Sequence, residues 1–304
     1  MANVRAWISH HERMFGLLIV ASLLLLLVVR FGLLGETKPN GQTDFNAIYR
    51  SVLDVLISTI VVSAVVALVV RYVRPPEEEP ESTLYVQPND VDHYLRNAAT
   101  TTREWTYFGH TGRYVRSAIF PLLLEQVKRG TVVRLLMLIL DPNDDPLCEY
   151  YAQYRSTART AKRGPRWTRE TVQSELLATI LCAMELRASS VSMEVEIGFI
   201  KHVSLFRVDL ATDRALITQE DSQEPALGYE SDSRFYKYYR RDSRMARDQA
   251  HLLKQLTSVP KFVLLDQSSC AATLQSVGLD LTAFPEPVVD DAFRRAIDKN
   301  NPYA

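Results

Sequence analysis

Apolar and polar positions are unevenly spread along the chain, and the first quarter stands apart. Met14 to Val29, MFGLLIVASLLLLLVV, is an unbroken apolar run, and after Arg30 the residues FGLL carry it to Leu34. A second run, VLDVLISTIVVSAVVALVV, extends from Val52 to Val70 with Asp54 near its start. Each matches the roughly 20 apolar residues that a helix needs to cross a hydrocarbon core of ~30 Å. The pattern predicts transmembrane helices over 14–34 and 52–70, a flank over 1–13 and an outer loop over 35–51. No small-residue cleavage site follows the first run, which sets aside a cleaved leader.

The next stretch, 71–90, contains RPPEEEPESTLYVQPND and is predicted to be an acidic, proline-rich linker. Prolines and repelling glutamates extend such a segment. From Val91 to Ala304 the pattern changes to alternating short strands and helices. Asp90 is placed to cap a helix beginning VDHYLRNAA, and EWTYF at Glu104 to Phe108 reads as a strand. A helix follows over Tyr114 to Lys128, kinked at Pro121. VVRLLMLIL, from Val132 to Leu140, has the unbroken apolar character of a strand covered on both faces. Helices are predicted over Leu147 to Thr160 and Thr168 to Ser189, then a strand over Val191 to Ile200. A hairpin turns at Ala211-Thr212-Asp213, a polar helix spans Ser233 to Leu256, and KFVLLD at Lys261 to Asp266 is a further strand. The alternation predicts an α/β domain over 91–304 with a largely parallel sheet flanked by helices.

Composition changes this picture little. Lys and Arg number 35 against 36 Asp and Glu, a net charge of −1, which excludes a uniformly basic nucleic-acid binder. Cys148, Cys182 and Cys270 are widely spaced and form no C-x-x-C pair, so neither a disulfide framework nor a metal cluster is expected. Scattered thiols fit a reducing compartment. Together with Arg5, Arg13, Arg71 and Arg74 beside the two runs, they favour cytoplasmic termini at the inner (cell) membrane. Arg30 and Asp54 then share one depth, about 24 Å from the cytoplasmic face at ~1.5 Å per residue. They are candidates for a transmembrane ion pair, with independent snorkelling as the alternative.

The run REWTYFGHTGRYVRSAIFPLLLEQVKRGTVVRLLMLILDPND resembles the first strand–helix–strand of a phospholipase D-like half domain. HVSLFRVDLATDRALITQ is similar to the hairpin that carries that family's signature, and SDSRFYKYYRRDSRMARD to its closing helix. Members of that family use His-x-Lys, then four arbitrary residues, then Asp. Here His202 and Asp209 stand at that spacing, with Ser204 in place of the lysine. A hydroxyl supplies no positive charge to phosphate oxygens, so the resemblance implies a non-catalytic domain with no cofactor and no metal. It leaves a phosphate-shaped pocket at the turn Gly109-His110-Thr111-Gly112 for which Arg113, Lys201, His202 and Arg207 are candidates.

Two cationic stretches add candidate contacts to a polyanion or partner. The first holds Arg155, Arg159, Lys162, Arg163 and Arg166; the second holds Arg240, Arg241 and Arg244, interleaved with tyrosines. The whole layout is similar to two-transmembrane effectors of bacterial anti-phage systems of the retron or cyclic-nucleotide type. The expected function is an effector whose cytoplasmic domain senses a nucleotide, nucleic acid or nucleoprotein partner and controls membrane disruption by an oligomer of hairpins. A membrane-tethered phosphodiesterase and a membrane scaffold for a partner protein are the alternatives.

Overall fold

The computed structural model describes residues 45–73, 83–158, 166–253 and 267–298, together with Leu25 and Val28. The chain divides into two compact units, Met1–Pro80 and Glu81–Ala304. In the first, α1 runs from Phe45 to Val73. Its Ser58 and Thr59 hydroxyls donate to the carbonyls one turn back, at Asp54 and Val55. Val52, Val55, Val62 and Val65 are exposed along it.

Among the described residues, no helix is long and apolar enough to cross a membrane. This corrects the two-helix transmembrane hairpin, and with it the inner (cell) membrane placement. Arg30 and nearly all of the first apolar run lie outside the described residues, so the Arg30–Asp54 pair is not placed.

The second unit is built on one 8-stranded sheet in the order β1-β7-β6-β5-β2-β3-β4-β8. Its strands are β1 (Leu84–Val86), β2 (Glu104–Phe108), β3 (Val133–Leu140), β4 (Met193–Ile200), β5 (Phe206–Ala211), β6 (Arg214–Gln219), β7 (Ala226–Glu230) and β8 (His251–Leu252). Among the described residues, the β2–β3 and β3–β4 pairs are parallel and the others antiparallel. The expected largely parallel, phospholipase D-like sheet is therefore corrected to a mixed one. The cause is the connections: Thr212 and Asp213 alone join β5 to β6, and so short a link returns the chain antiparallel. β1 also lies inside the stretch expected to be linker, where it pairs with β7.

The helices of this unit are α2 (Val91–Ala99), α3 (Phe120–Lys128), α4 (Asp145–Thr157), α5 (Arg169–Ser189), α6 (Arg234–Gln249), α7 (Gln267–Ser276) and α8 (Glu286–Ile297). A π-helical stretch, Val115–Ile119, precedes α3. It lies immediately before Phe120 and Pro121, where a proline without an N–H disrupts regular α hydrogen bonding. The Asp144 carboxylate caps α4, and the Thr168 and Ser233 hydroxyls cap α5 and α6, each accepting a backbone N–H. The predicted strand at Lys261 to Asp266 lies outside the described residues.

Strand alternation sorts the sheet into two faces. Trp105, Tyr107, Leu135, Met137, Val195, Ile197 and Asp209 share one face by register. Thr179 of α5 meets Met137 over Gly112, which places α5 above that face. α5 is buried around most of its girth, since α4 and α8 also pack on it. The other face carries Glu104, Phe108 and Glu196, and α6 is tied to it through Arg240–Glu104 and Arg247–Glu196 ion pairs. Trp105, Ile119, Leu123, Met137, Leu138 and Ile180 form the fully enclosed centre, each such burial stabilising the fold by about 1.5–3 kcal/mol.

Candidate functional site

The turn from Gly109 to Gly112, at the end of β2, was the expected phosphate cradle, and its backbone donors are directed inward. Gly109 N–H donates to the Leu138 carbonyl at 3.0 Å. His110 N–H donates to the Tyr107 hydroxyl at 3.1 Å, and the Gly112 N–H meets the same oxygen. A Tyr107 hydroxyl thus takes the place an anion would occupy. Two glycines make this possible. A Cβ on Gly109 would lie 2.6 Å from the Tyr107 Oη, and Gly112 sits at φ +68° with Met137 Cε 2.7 Å from where a Cβ would be. Burial pushes the Tyr107 phenol up to about 12, so it remains a neutral hydroxyl.

His110 itself is 1% exposed and bound at both ring nitrogens. Nε2 meets the Ser204 carbonyl at 2.8 Å, and Nδ1 meets Glu220 Oε2 at 2.9 Å. Tyr151 stacks on the ring at 4.5 Å. Burial, reinforced by Arg207 and Arg155, holds the imidazole down at about 3, hence neutral. The ring lies with Nε2 on the Ser204 carbonyl, which can only accept, and with Nδ1 against the Glu220 carboxyl. Arg155 pairs with Glu220 from the other side and lies over the Trp167 ring at 5.2 Å. With both nitrogens engaged, His110 is placed to hold β2, α4 and the end of β6 together rather than to attack or shuttle protons. No local sequence signal marks this pair, because its members are 110 positions apart.

The residues at the phospholipase D-like spacing are not assembled into one site. His202 is exposed and lies edge-on to Phe108, ring centroids 5.9 Å apart. Phe108 registers with Val208, while Asp209 registers with Tyr107 on the other face of the sheet. Asp209 is 5% exposed, and its Oδ1 has no hydrogen-bond partner. Burial pushes its carboxyl up to about 7, against the opposing pull of Arg207 and then Trp105. Ser204 gives its carbonyl to His110 and its hydroxyl to the Phe206 N–H.

The four expected phosphate ligands are likewise dispersed. Arg113 faces Glu175 at 3.5 Å, Lys201 is exposed after β4, and Arg207 donates to Thr218 Oγ1 and the Gln219 carbonyl. Arg207 lies beside the turn, with its Cγ 3.1 Å from a Cβ at Gly109. Among the described residues, no group of three or more His, Cys, Asp or Glu side chains is placed to hold a metal ion.

The cationic stretches fare differently. In the first, Arg159, Lys162 and Arg163 lie outside the described residues, Arg155 is taken by Glu220, and Arg166 is exposed. The second folds as α6, a helix whose two sides are chemically distinct. Toward the sheet, Tyr236 is buried and its hydroxyl donates to the Ala211 carbonyl at 2.8 Å; Ser243 is buried beside it. Arg240 reaches Glu104 at 3.0 Å and Arg247 reaches Glu196 at 2.9 Å. Away from the sheet, Lys237, Tyr238, Arg241, Arg244 and Met245 are exposed. Among the described residues, Arg241 and Arg244 have no carboxylate partner, and Lys237 donates only to the Asp232 carbonyl. Lys237, Arg241 and Arg244 follow the i, i+4, i+7 spacing that aligns them in one row.

No protein-family model and no curated protein matches the chain. Among solved structures, an archaeal chromatin protein, TrmBL2, described as showing a novel mode of DNA binding, is similar at a TM-score of 0.32 and 8% identity. The likeness covers 68% of this chain and 67% of that one, and so low a score carries no argument about this chain. The phospholipase D-like resemblance is corrected on two grounds: no family comparison supports it, and His202 and Asp209 belong to opposite sides of the sheet. The kinship with membrane effectors of anti-phage systems falls with the hairpin it depended on, and no comparison points to antiviral defence. Membrane lipid and a homo-oligomer, expected as partners of that hairpin, have no support left.

Proposed function

We propose that the unit from Glu81 to Ala304 is a non-catalytic binding domain whose partner is nucleic acid, held through the outward face of α6. One observation carries the reading. Arg240 and Arg247 are consumed by Glu104 and Glu196, whereas Arg241 and Arg244, on the same helix, stand exposed with no carboxylate partner. Lys237 extends their row by one turn. A row of cations released from internal pairing suits a phosphate backbone, and it operates despite a net charge of −1 because α6 carries Arg234, Lys237, Arg240, Arg241, Arg244 and Arg247 against only Asp242 and Asp248.

The absence of catalysis rests on separate observations. His110 has both nitrogens engaged, and His202 and Asp209 do not share a face. Of the function expected from the sequence, the recognition of a nucleic-acid partner is proposed here in this form; the control of a membrane is not carried forward.

The test is binding of a labelled nucleic acid by the full chain across a salt series. The logarithm of affinity should fall linearly with that of salt, and Arg241→Gln with Arg244→Gln should lower the slope by about 1 per residue. Binding that ignores salt, or that both substitutions leave unchanged, overturns the proposal.

A further inference from the structure

We infer that the nucleic acid held by α6 is single-stranded, with unpaired bases stacked on Tyr238 and Phe235. This rests on α6 being the nucleic-acid interface and specifies its ligand.

The first argument is steric. A helix reads duplex DNA by entering a major groove about 12 Å wide and about 8.5 Å deep. A helix with its side chains is itself about 10–12 Å across, so entry takes nearly its whole girth. α6 does not have that girth to offer. Its Tyr236 hydroxyl is bonded to the Ala211 and Thr212 carbonyls, at 2.8 and 3.1 Å. Arg240 and Arg247 tie its middle and its end to Glu104 on β2 and Glu196 on β4. Helix α6 therefore lies flat on the sheet, which would meet the phosphate ridges before α6 reached the base edges.

The second argument is the nature of what remains exposed. Tyr238 is 56% exposed and Phe235 42%, large values for rings next to a packed sheet. Their rings stand at 89°, centroids 6.0 Å apart, and Tyr229 backs Phe235 at 5.2 Å. The pair is thus supported from below and presented outward among Lys237 and Arg241. Bases inside a duplex already stack on each other and have no free face for such rings. Unpaired bases do, and an aromatic platform beside a cationic track is the arrangement that binds them without regard to sequence.

The test uses the full chain with labelled oligothymidine, labelled oligouridine, a duplex of equal length, and heparin as a polyanion without bases. At least one single strand should bind about 10-fold more tightly than the duplex. Tyr238→Ala should remove about 10-fold from single-strand affinity, leave the salt slope unchanged and leave heparin binding unchanged. Tyr238→Phe should restore most of the loss, and an unchanged unfolding midpoint shows that the fold is intact. The inference is overturned if duplex or heparin binds as tightly as the single strands, or if Tyr238→Ala has no effect. In either case the α6 reading stands, provided that Arg241→Gln and Arg244→Gln still reduce the salt slope. If no ligand binds with a salt dependence, the α6 reading itself has failed.

Discussion

Two of the buried carboxyls in the second unit, Glu175 and Asp209, are treated in opposite ways. Glu175, on the central helix α5, is fully buried and ringed by guanidinium groups. Arg116 and Arg295 each approach it at 2.6 Å, and Arg113 at 3.5 Å. Asp209, on β5, is nearly as buried, yet no hydrogen bond reaches its Oδ1 and its carboxyl is pushed up to about 7. Burial is common to both, so burial alone does not decide a carboxyl's charge. The supply of donors does. At Glu175 the charge ties the start of the helix after β2, α5 and the C-terminal α8 into one knot. At Asp209 the fold holds a carboxyl that burial pushes toward its neutral, protonated form.

The largest effect should come from cutting the knot. Glu175→Gln keeps the shape but leaves Arg116, whose side chain is 9% exposed, without its counter-ion. Removing one member of a buried ion pair typically destabilises by about 3–5 kcal/mol. Arg113 and Arg295 are 32% and 29% exposed and can turn toward water, which places the expectation at the lower end of that range. Urea unfolding of the full chain, followed by circular dichroism, gives the value. A loss below about 1 kcal/mol would mean that the arginines relax freely and that Glu175 and Asp209 are not the contrast described.

At Asp209 the expected effect depends on pH, and its sign is reversed from the usual carboxylate. The folded group titrates at about 7 and the free group at 3.8. Below the lower value both states hold the proton. Between the two values the folded chain keeps a proton that the unfolded chain has released, so stability falls as pH rises, by up to about 1.4 kcal/mol per pH unit from this group. Above the higher value the contribution is level. Asp209→Asn removes it, and because other groups titrate alike in both proteins, the stability difference between them isolates Asp209. That difference should shift in favour of the variant as pH climbs from 4 to 7. A difference independent of pH would show that Asp209 is ionised throughout and that water or a donor serves its Oδ1.

How much of this was legible beforehand follows the range of the interactions. VVRLLMLIL announced the centre of the sheet, and it is β3, flanked by parallel neighbours on both sides. Thr168, ahead of an apolar–polar helical stretch, announced the start of α5, and Ala211-Thr212-Asp213 announced a hairpin. These are local signals, carried by neighbours in the chain. The sheet's mixed character was not legible, because strand–helix alternation up to β4 says nothing about the meander that follows. Nor was β1, a three-residue strand in a proline- and glutamate-rich stretch that exists only because β7 offers an edge. Nothing local marked Glu175 for burial, since acids are almost never fully buried without partners and its partners lie 59, 62 and 120 positions away. The spacing of His202 and Asp209 suggested one site, and strand alternation defeated it by sending them to opposite faces. The apolar runs suggested two spans, which the described helices do not bear out.

The smallest effect expected is at Tyr107, which sharpens the contrast by sharing the Asp209 face. The two residues are registered across β2 and β5, and the Asp209 carboxyl adds to the burial that raises the Tyr107 phenol. Tyr107→Phe removes the oxygen that accepts the His110 and Gly112 N–H groups and leaves those buried donors unmet. A stranded buried donor costs about 1–3 kcal/mol, and the glycines at either end of the turn allow some relaxation, so about 1 kcal/mol is expected. The Tyr107 phenol, at about 12, does not titrate between pH 4 and 7. Its loss should therefore lower stability equally at every pH in that window, a parallel displacement quite unlike the changing difference at Asp209. Should Tyr107→Phe instead alter the slope between pH 4 and 7, the phenol and the Asp209 carboxyl would be sharing a proton. The donor missing from Asp209 would then be the Tyr107 hydroxyl, and the two buried carboxyls would differ in the strength of their donors rather than in having them.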